Sequence, residues 1–491
     1  MDKYILSIDQ STQGTKALLF DLTGSLLFRS DLPHRQIVSN LGWISHDPEE
    51  IYQNVLLCVK NLLHLSQVSP EHITCVGITN QRETSVVWDR YTGKPVCHAI
   101  VWQCSRAQDI CAQIGTPAVQ KLVRDKTGIP LSPYFPASKF AWILNHIDGA
   151  AQKAADHRLC FGTMDTWLLY NLTGGKTYCT DATNASRTQL FDIHTLRWDK
   201  ELCDAFGLCV DDLPIVLDCD SVFATTTFDG IFKKPVQICG VIGDAHAALF
   251  GQGCTKPGMA KATYGTGSSV MMNIGHSPIE SSHGLITALG WKCHAGTCYA
   301  MEGNLNYTGA VVRWLQEIGL VKDPKETQTM AEKASLEDTT VLVPSFSGIG
   351  APYWDNNAKA IIYGMTRTTG KNELVRAGID SIAYQISDVI AAMEKDTGIQ
   401  IHELAADGGA THNSYLMQCQ SDLCQLKIRI PPIEELSGLG AAYMAGISSG
   451  QMNPDVLTVW QSSVFLPQIS NEQRAKKMNH WHEAIQVVLK C

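Results

Sequence analysis

The sequence predicts an α/β protein made of two related halves. Three observations lead there. At 491 residues the chain is too long for one ordinary core, so two domains of comparable size are expected. Each half opens on a strand–turn–strand unit whose turn is rich in Gly, Ser and Thr. Each half later carries a long stretch with helical spacing, so a weak duplication shows in architecture rather than in residue identity.

Taken in order, residues 4–9 form a short apolar run ending on Asp9, followed by the polar turn 10–14 and a second apolar run over 17–20. Thr23-Gly24 turns the chain into 26–28. Ile51, Val55, Cys58, Val59 and Leu62 recur at helical spacing within 48–65. Residues 74–79, 85–88 and 99–102 read as further strands. After a Gly/Pro cluster at 251–257, which sets the expected boundary between domains 1–250 and 251–491, the pattern begins again. Residues 260–264 and 270–274 are strands around Gly265-Thr266-Gly267-Ser268-Ser269, and 373–393 is the clearest long helix. A further short apolar run, 404–406, leads through Asp407-Gly408-Gly409-Ala410 into the helical pattern 415–424.

Composition narrows the function classes. With 45% hydrophobic and 18% charged residues the chain is globular, and a net charge of -9 argues against nucleic acid or an anionic membrane as partner. Only five residues separate Lys3 from Asp9, too few for a signal-peptide core, and no later stretch approaches a membrane span. The 17 cysteines include no CxxC pair, and the closest spacings, Cys293/Cys298 and Cys419/Cys424, lack zinc-ligand geometry. They read as free thiols of a reducing cytosol, so a cytoplasmic location is expected.

Phosphate chemistry needs several donors converging at close range, which tight turns with small hydroxyls provide. Asp9, Ser11, Thr12, Gln13 and Lys16 surround one such turn, and Gly265, Thr266 and Gly267 form the other. Alone, either turn reads first as an ordinary β-hairpin. Together, opening two halves, they describe two loops closing on one nucleotide. The pair Gly408-Gly409 at a strand-to-helix junction either admits a flat base or is simply a tight turn.

Longer blocks then carry a resemblance. Gly77-Ile78-Thr79-Asn80-Gln81-Arg82-Glu83-Thr84, Ala99-Ile100-Val101-Trp102-Gln103 and Thr180-Asp181-Ala182-Thr183-Asn184-Ala185-Ser186-Arg187-Thr188 stand in the first half. Gly350-Ala351-Pro352-Tyr353-Trp354-Asp355, Asp407-Gly408-Gly409-Ala410 and Leu439-Gly440-Ala441-Ala442-Tyr443 stand in the second. With these the chain resembles the FGGY carbohydrate kinases, most closely their glycerol kinase branch. The resemblance implies two actin/hexokinase-like (ribonuclease H-like) α/β domains with a catalytic cleft between them. It implies an ATP- and Mg2+-dependent transfer of phosphate to a small polyol or sugar, and is compatible with a homo-oligomer. Asp244 would be the catalytic base and would share the metal with Asp9. Arg82, Glu83, Trp102 and Tyr134, with Asp244, would bind the acceptor. Ser11, Thr12, Gln13, Lys16, Gly265, Thr266, Gly267, Gly309, Gly409 and Asn413 would bind ATP. Without the resemblance, Asp244 reads as the N-cap of a helix over 245–250 and Arg82-Glu83 as a surface ion pair.

Departures from glycerol kinases bear on specificity and control. Ala245 stands where they usually carry Gln, and Ser269 where they carry Phe. Both changes enlarge the acceptor pocket, so a longer linear polyol or ketose is expected; glycerol itself is the alternative. Residues 228–235 lack the Gly pair and Arg of a sugar-phosphate effector loop, and the His of a phosphorylation switch, so neither control is expected. An acceptor-independent nucleotide switch of the same superfold is the remote alternative.

Overall fold

A computed structural model describes residues 3–355, 357–458 and 462–490. In the first half, β1 (Tyr4–Gln10), β2 (Gly14–Phe20), β3 (Leu26–Pro33), β4 (Ile73–Asn80), β5 (Ala224–Thr226) and β6 (Val236–Gly243) form one sheet, ordered β5-β6-β4-β1-β2-β3. Helix α1 (Pro48–Ser66), N-capped by Asp47, buries Ile51, Val55, Cys58, Val59 and Leu62 against one face, the residues whose spacing predicts it. Helix α2 (Pro136–His146) belongs to a satellite layer, and α3 (Asp244–Gly251) follows β6 directly. Residues 228–235 hold their turn through buried Phe228 and Phe232, which accounts for that stretch by packing.

The second half repeats the plan. Strands β7 (Ala260–Tyr264), β8 (Ser268–Gly275), β9 (Ile286–Cys293), β10 (Gly296–Leu305), β11 (Glu403–Asp407), β12 (Lys427–Ile430) and β13 (Ser463–Phe465) are ordered β9-β10-β8-β7-β11-β12-β13. Its helices are α4 (Gly309–Glu317), α5 (Lys371–Thr397), α6 (Ser414–Cys424), α7 (Leu436–Ser448) and α8 (Asn471–Val488). In each sheet an antiparallel meander (β3-β2-β1, β10-β8-β7) continues into two parallel strands (β4-β6, β11-β12). This repeated five-stranded core is the actin/hexokinase-like arrangement.

Helix α7 crosses back onto the first sheet. Its residues Leu439, Ala441, Ala442 and Tyr443 share a core with Ile5, Leu18, Phe20, Cys75 and Ile242, and that core also takes in Met271, Ala300 and Ala405 of the second sheet. The approach is close enough to demand glycine. A Cβ on Gly77 would lie 2.2 Å from the Ala441 carbonyl oxygen, and one on Gly440 1.9 Å from that of Ala247. Backbone has no way to yield there without moving the helix off the sheet.

Some edges differ from expectation. Strand 99–102 shortens to Ala99–Ile100, leaving Trp102 in a turn that opens toward the cleft. Helix α3 begins one residue earlier than the spacing suggests: Gly243 is its N-cap and Asp244 its first helical residue. The Asp244 carboxylate accepts from Ala245 N–H (2.7 Å), so it sits at the helix start without being the cap. All 16 described cysteines are free thiols; Cys491 lies outside the described residues. Gly77→Ala should lower stability by about 1–3 kcal/mol, the usual cost of overpacking, read as a lower denaturant midpoint at unchanged m-value; an unchanged midpoint would mean that α7 yields freely.

Candidate active site

Register brings the first-half residues together. Gln10, Asn80 and Gly243 end three strands at one level, because Gln10 faces Asn80 and Asn80 faces Gly243. The segments leaving that edge are therefore Ser11–Gln13, Gln81–Glu83 and Asp244. The first turn is closed by Ser11 N–H and Oγ, which both donate to the Gly14 carbonyl (2.8 and 3.0 Å). Thr12 is placed from two sides: Trp102 Nε1 donates to its Oγ1 (2.9 Å), and His34 Nε2 meets its carbonyl (2.9 Å). Tyr134 packs its ring 5.3 Å from Trp102, so the expected acceptor aromatics form one wall beside the first phosphate turn.

Arg82 and Glu83 are buried rather than a surface pair. Arg82 grips Glu302 of β10 with both terminal nitrogens (2.9 and 3.2 Å), and its Nε lies 3.3 Å from Asp244 Oδ1. Glu83 accepts from Arg187 Nε at 2.6 Å, while Arg187 Nη1 stands 2.9 Å from Glu302 as an ion pair without hydrogen-bond alignment. Glu302 and Arg187 are fully enclosed. Burial alone would push the Glu302 carboxyl up, but Arg187 and Arg82 outweigh it and hold it well below the usual range. Glu83 adopts φ of 62°, a left-handed conformation that costs a non-glycine residue about 1–3 kcal/mol. The buried pairing holds it there.

Asp244 differs from its neighbours in exposure. Its side chain is 36% exposed to the cleft, against 6% for Arg82 and 2% for Glu83. Enclosure by the cleft raises its pKa, and the nearby guanidinium of Arg82 only partly offsets this. Asp9 is buried, and its carboxyl is pushed up to about 6 by burial, opposed by Lys16 at 3.5 Å and reinforced by Glu435 and Asp244. Lys16 also bridges to Glu435, which holds Arg29 as well, so its ammonium is shared among carboxylates.

The second sheet presents its loops at the matching edge. Gly309 and Ala310 at the start of α4 donate to the carbonyls of Gly265 and Thr266 (3.0 Å each), docking the 265–267 turn on that helix. A Cβ on Gly408, whose φ is 95°, would meet the Tyr264 carbonyl oxygen at 2.3 Å, so the third loop lies against the residue that precedes Gly265. Gly409 is exposed with open space before it. Asn413 caps α6 through Leu416 N–H (3.0 Å) and also reaches Thr327. Gln13 is exposed at the turn's tip, where its carbonyl takes the His34 N–H.

Four side chains join the site without having been expected there: Glu302, Arg187, His246 and Lys261. His246 is fully buried with both ring nitrogens unpartnered, and burial followed by Arg82 holds its pKa well below normal. Buried Lys261 donates to Thr263 Oγ1 (2.8 Å). Arg187 stands in a block that carries the resemblance, with no role read for it there, and Glu302 left a trace as one acid inside the apolar strand Tyr299-Ala300-Met301-Glu302-Gly303. Outside the cleft, His157, Cys209 and Asp212 form the one metal-type cluster among the described residues, but Asp212 is engaged by His157 (3.1 Å) and faced by Arg90 (3.9 Å).

Two family models match this chain: the N-terminal domain of the FGGY family of carbohydrate kinases over residues 4–251, and the C-terminal domain of that family over 260–449. The chain belongs to the FGGY carbohydrate kinases. A glycerol kinase of Geobacillus sp. (strain WCH70) is 41% identical over 100% of this kinase and 99% of its own length. Glycerol kinase 2 of Thermotoga maritima is also 41% identical, covering 98% of both. The crystal structure of Plasmodium falciparum glycerol kinase with ADP superposes with a TM-score of 0.94 at 35% identity, covering 99% of this chain and 98% of that one. This kinase is thus an ATP-dependent phosphotransferase with an alcohol acceptor, of the glycerol-kinase-like type. Removing one partner from its buried charge cluster should be severe: Glu302→Gln is expected to cost about 3–5 kcal/mol of stability, measured by equilibrium denaturation, and a loss below 1 kcal/mol would show that the two guanidinium groups find water instead.

Proposed function

We propose that this kinase phosphorylates a linear polyol or ketose longer than glycerol, of about four to six carbons, with Asp244 as general base. One observation carries the acceptor: half-buried Ser269 turns its Oγ to Glu302 (3.3 Å), the carboxylate that grips the Arg82 reaching Asp244, while Ala245 follows the base with only a methyl group. The two side chains near the base are therefore small. The glycerol kinases among its relatives support a polyol; the side chains at 245 and 269 support a longer one.

In this reading Arg82 and Glu83 bind vicinal hydroxyls, and Trp102 and Tyr134 face the carbon chain. Asp244 accepts the proton of the attacking hydroxyl as that oxygen adds to the γ-phosphorus and the ADP oxygen leaves. Ser11, Thr12, Gln13 and Lys16 on one side, and Gly265, Thr266 and Gly267 on the other, bind the phosphates; Gly309, Gly409 and Asn413 line the adenosine end. Asp9 and Asp244 fit a divalent cation such as Mg2+: both carboxyls are raised by enclosure, and the charge of Asp244 raises Asp9 further, so added positive charge relieves both. Bound there, the cation would neutralise charge on the transferred phosphoryl group. We also place the protein in the cytoplasm, on its free thiols; no helix among the described residues is long and apolar enough to cross a membrane.

A coupled ADP-release assay against glycerol, tetritols, pentitols and ketoses tests the acceptor. Glycerol used far better than all others would overturn the longer-chain reading. Asp244→Asn should cut kcat by about 10^2–10^4-fold, the usual range for a positioned base, while ADP binding persists by calorimetry. Because the Asp244 carboxyl of the free protein lies above the ordinary range, kcat/KM should fall as pH drops through that raised pKa, and Asp244→Asn should lose the part of this acid limb that Asp244 contributes.

A further inference from the structure

Lys139 is a fully buried lysine that the mechanism above does not use. It lies in the first turn of α2, where the helix dipole disfavours a cation, and the helix has no side-chain N-cap. Among the described residues no carboxylate approaches its amine within ion-pair distance. Instead Nζ folds back past the helix start and donates to the main-chain carbonyl of Tyr134. Enclosure, an unfavourable dipole and the lack of a contacting carboxylate all disfavour an ammonium at this place. What the position gains is a grip on one peptide group, the one that carries the aromatic wall.

The surroundings extend that grip. Tyr134 N–H is held by Ser132 Oγ at 3.2 Å, and its ring stands between Trp102 and Phe135 at 5.3 and 5.1 Å. Among the charged and titratable groups facing Lys139, Glu83 is the attractive one, Arg106 repels, and the thiols of Cys104 and Cys111 complete the shell. Lys139 thus lies behind both Tyr134 and Glu83, touching the first and attracted by the charge of the second.

We propose that Lys139 is a positioning residue for the acceptor site, holding the Tyr134 peptide and countering Glu83 only while its amine is protonated. The proposal rests on the reading of Tyr134 and Glu83 as acceptor residues. Burial brings the Lys139 pKa down to about 7, against the pull of Glu83. Below that value the ammonium donates a charge-assisted bond. Above it, a neutral amine donates weakly, and Glu83, still paired with Arg187, loses one nearby positive charge.

The test is KM and kcat measured across neutrality, from about pH 6 to about pH 9. Wild type, Lys139→Met and Tyr134→Ala are compared with glycerol as acceptor, or with the polyol or ketose that outperforms it. Wild-type KM should rise about fivefold on the alkaline side, the order expected when a charged hydrogen bond becomes a neutral one, while kcat changes little there. Lys139→Met should show the raised KM at every pH. A wild-type KM flat across the range overturns the proposal even if the variant does not fold. Lys139→Met with wild-type KM and pH profile, alongside a Tyr134→Ala whose KM is raised, overturns it and leaves the acceptor site standing. Tyr134→Ala with unchanged KM removes the acceptor assignment and the proposal with it.

Discussion

The buried ion cluster centred on Glu302 is what the rest of the site depends on. Glu302 comes from the second sheet, and both of its guanidinium partners come from the first half of the chain. Enclosed charges of this kind are stable only when each is paired, so the two halves are joined by an interaction that tolerates no missing member. Arg82 thereby reaches Asp244 from a fixed base, and Glu83 is kept in a conformation its own backbone disfavours. The Asp244 carboxylate, the base we propose, is then the charged group of the cluster left facing the cleft. Rigidity behind it and exposure in front of it have the same origin.

The two hydroxyl-bearing turns come to one space because both sheets end their parallel strands toward it. In the first sheet, Asp9, Arg82 and Asp244 sit at or just past the ends of β1, β4 and β6; in the second, Gly265 and Gly408 sit just past β7 and β11. One topology used twice gives two donor-lined edges across one cleft. That is a geometry for a charged substrate held between two sheets, and it fits a transfer in which positioning and water exclusion do most of the work.

What could be read from the chain beforehand follows a physical rule. Local features were legible: both hairpins, the face of α1 and the third loop are set by neighbours within a few residues. The expectation for Asp244, Arg82 and Trp102 came from the resemblance and not from their neighbours in the chain. Glu302 and Arg187 were not legible as a pair, since their meaning lies in a contact spanning the halves and nothing near either residue announces the other. Arg82-Glu83 shows the same limit in reverse: adjacent opposite charges usually mark a solvated surface, and only the fold reveals that both are buried. The start of α3 was misplaced by one residue because Gly243, not Asp244, takes the extended cap conformation.

Helix α7 bears on how this protein is made. It covers a face of the first sheet, yet it lies near the end of the chain, after almost all of the second half. During synthesis, Ile5, Leu18, Phe20, Cys75 and Ile242 must therefore wait, uncovered, until residues 436–448 have left the ribosome. The N-terminal half is not a unit that folds to completion first. Its apolar face stays open for most of translation, a window in which a nascent chain is most exposed to aggregation and most in need of a chaperone.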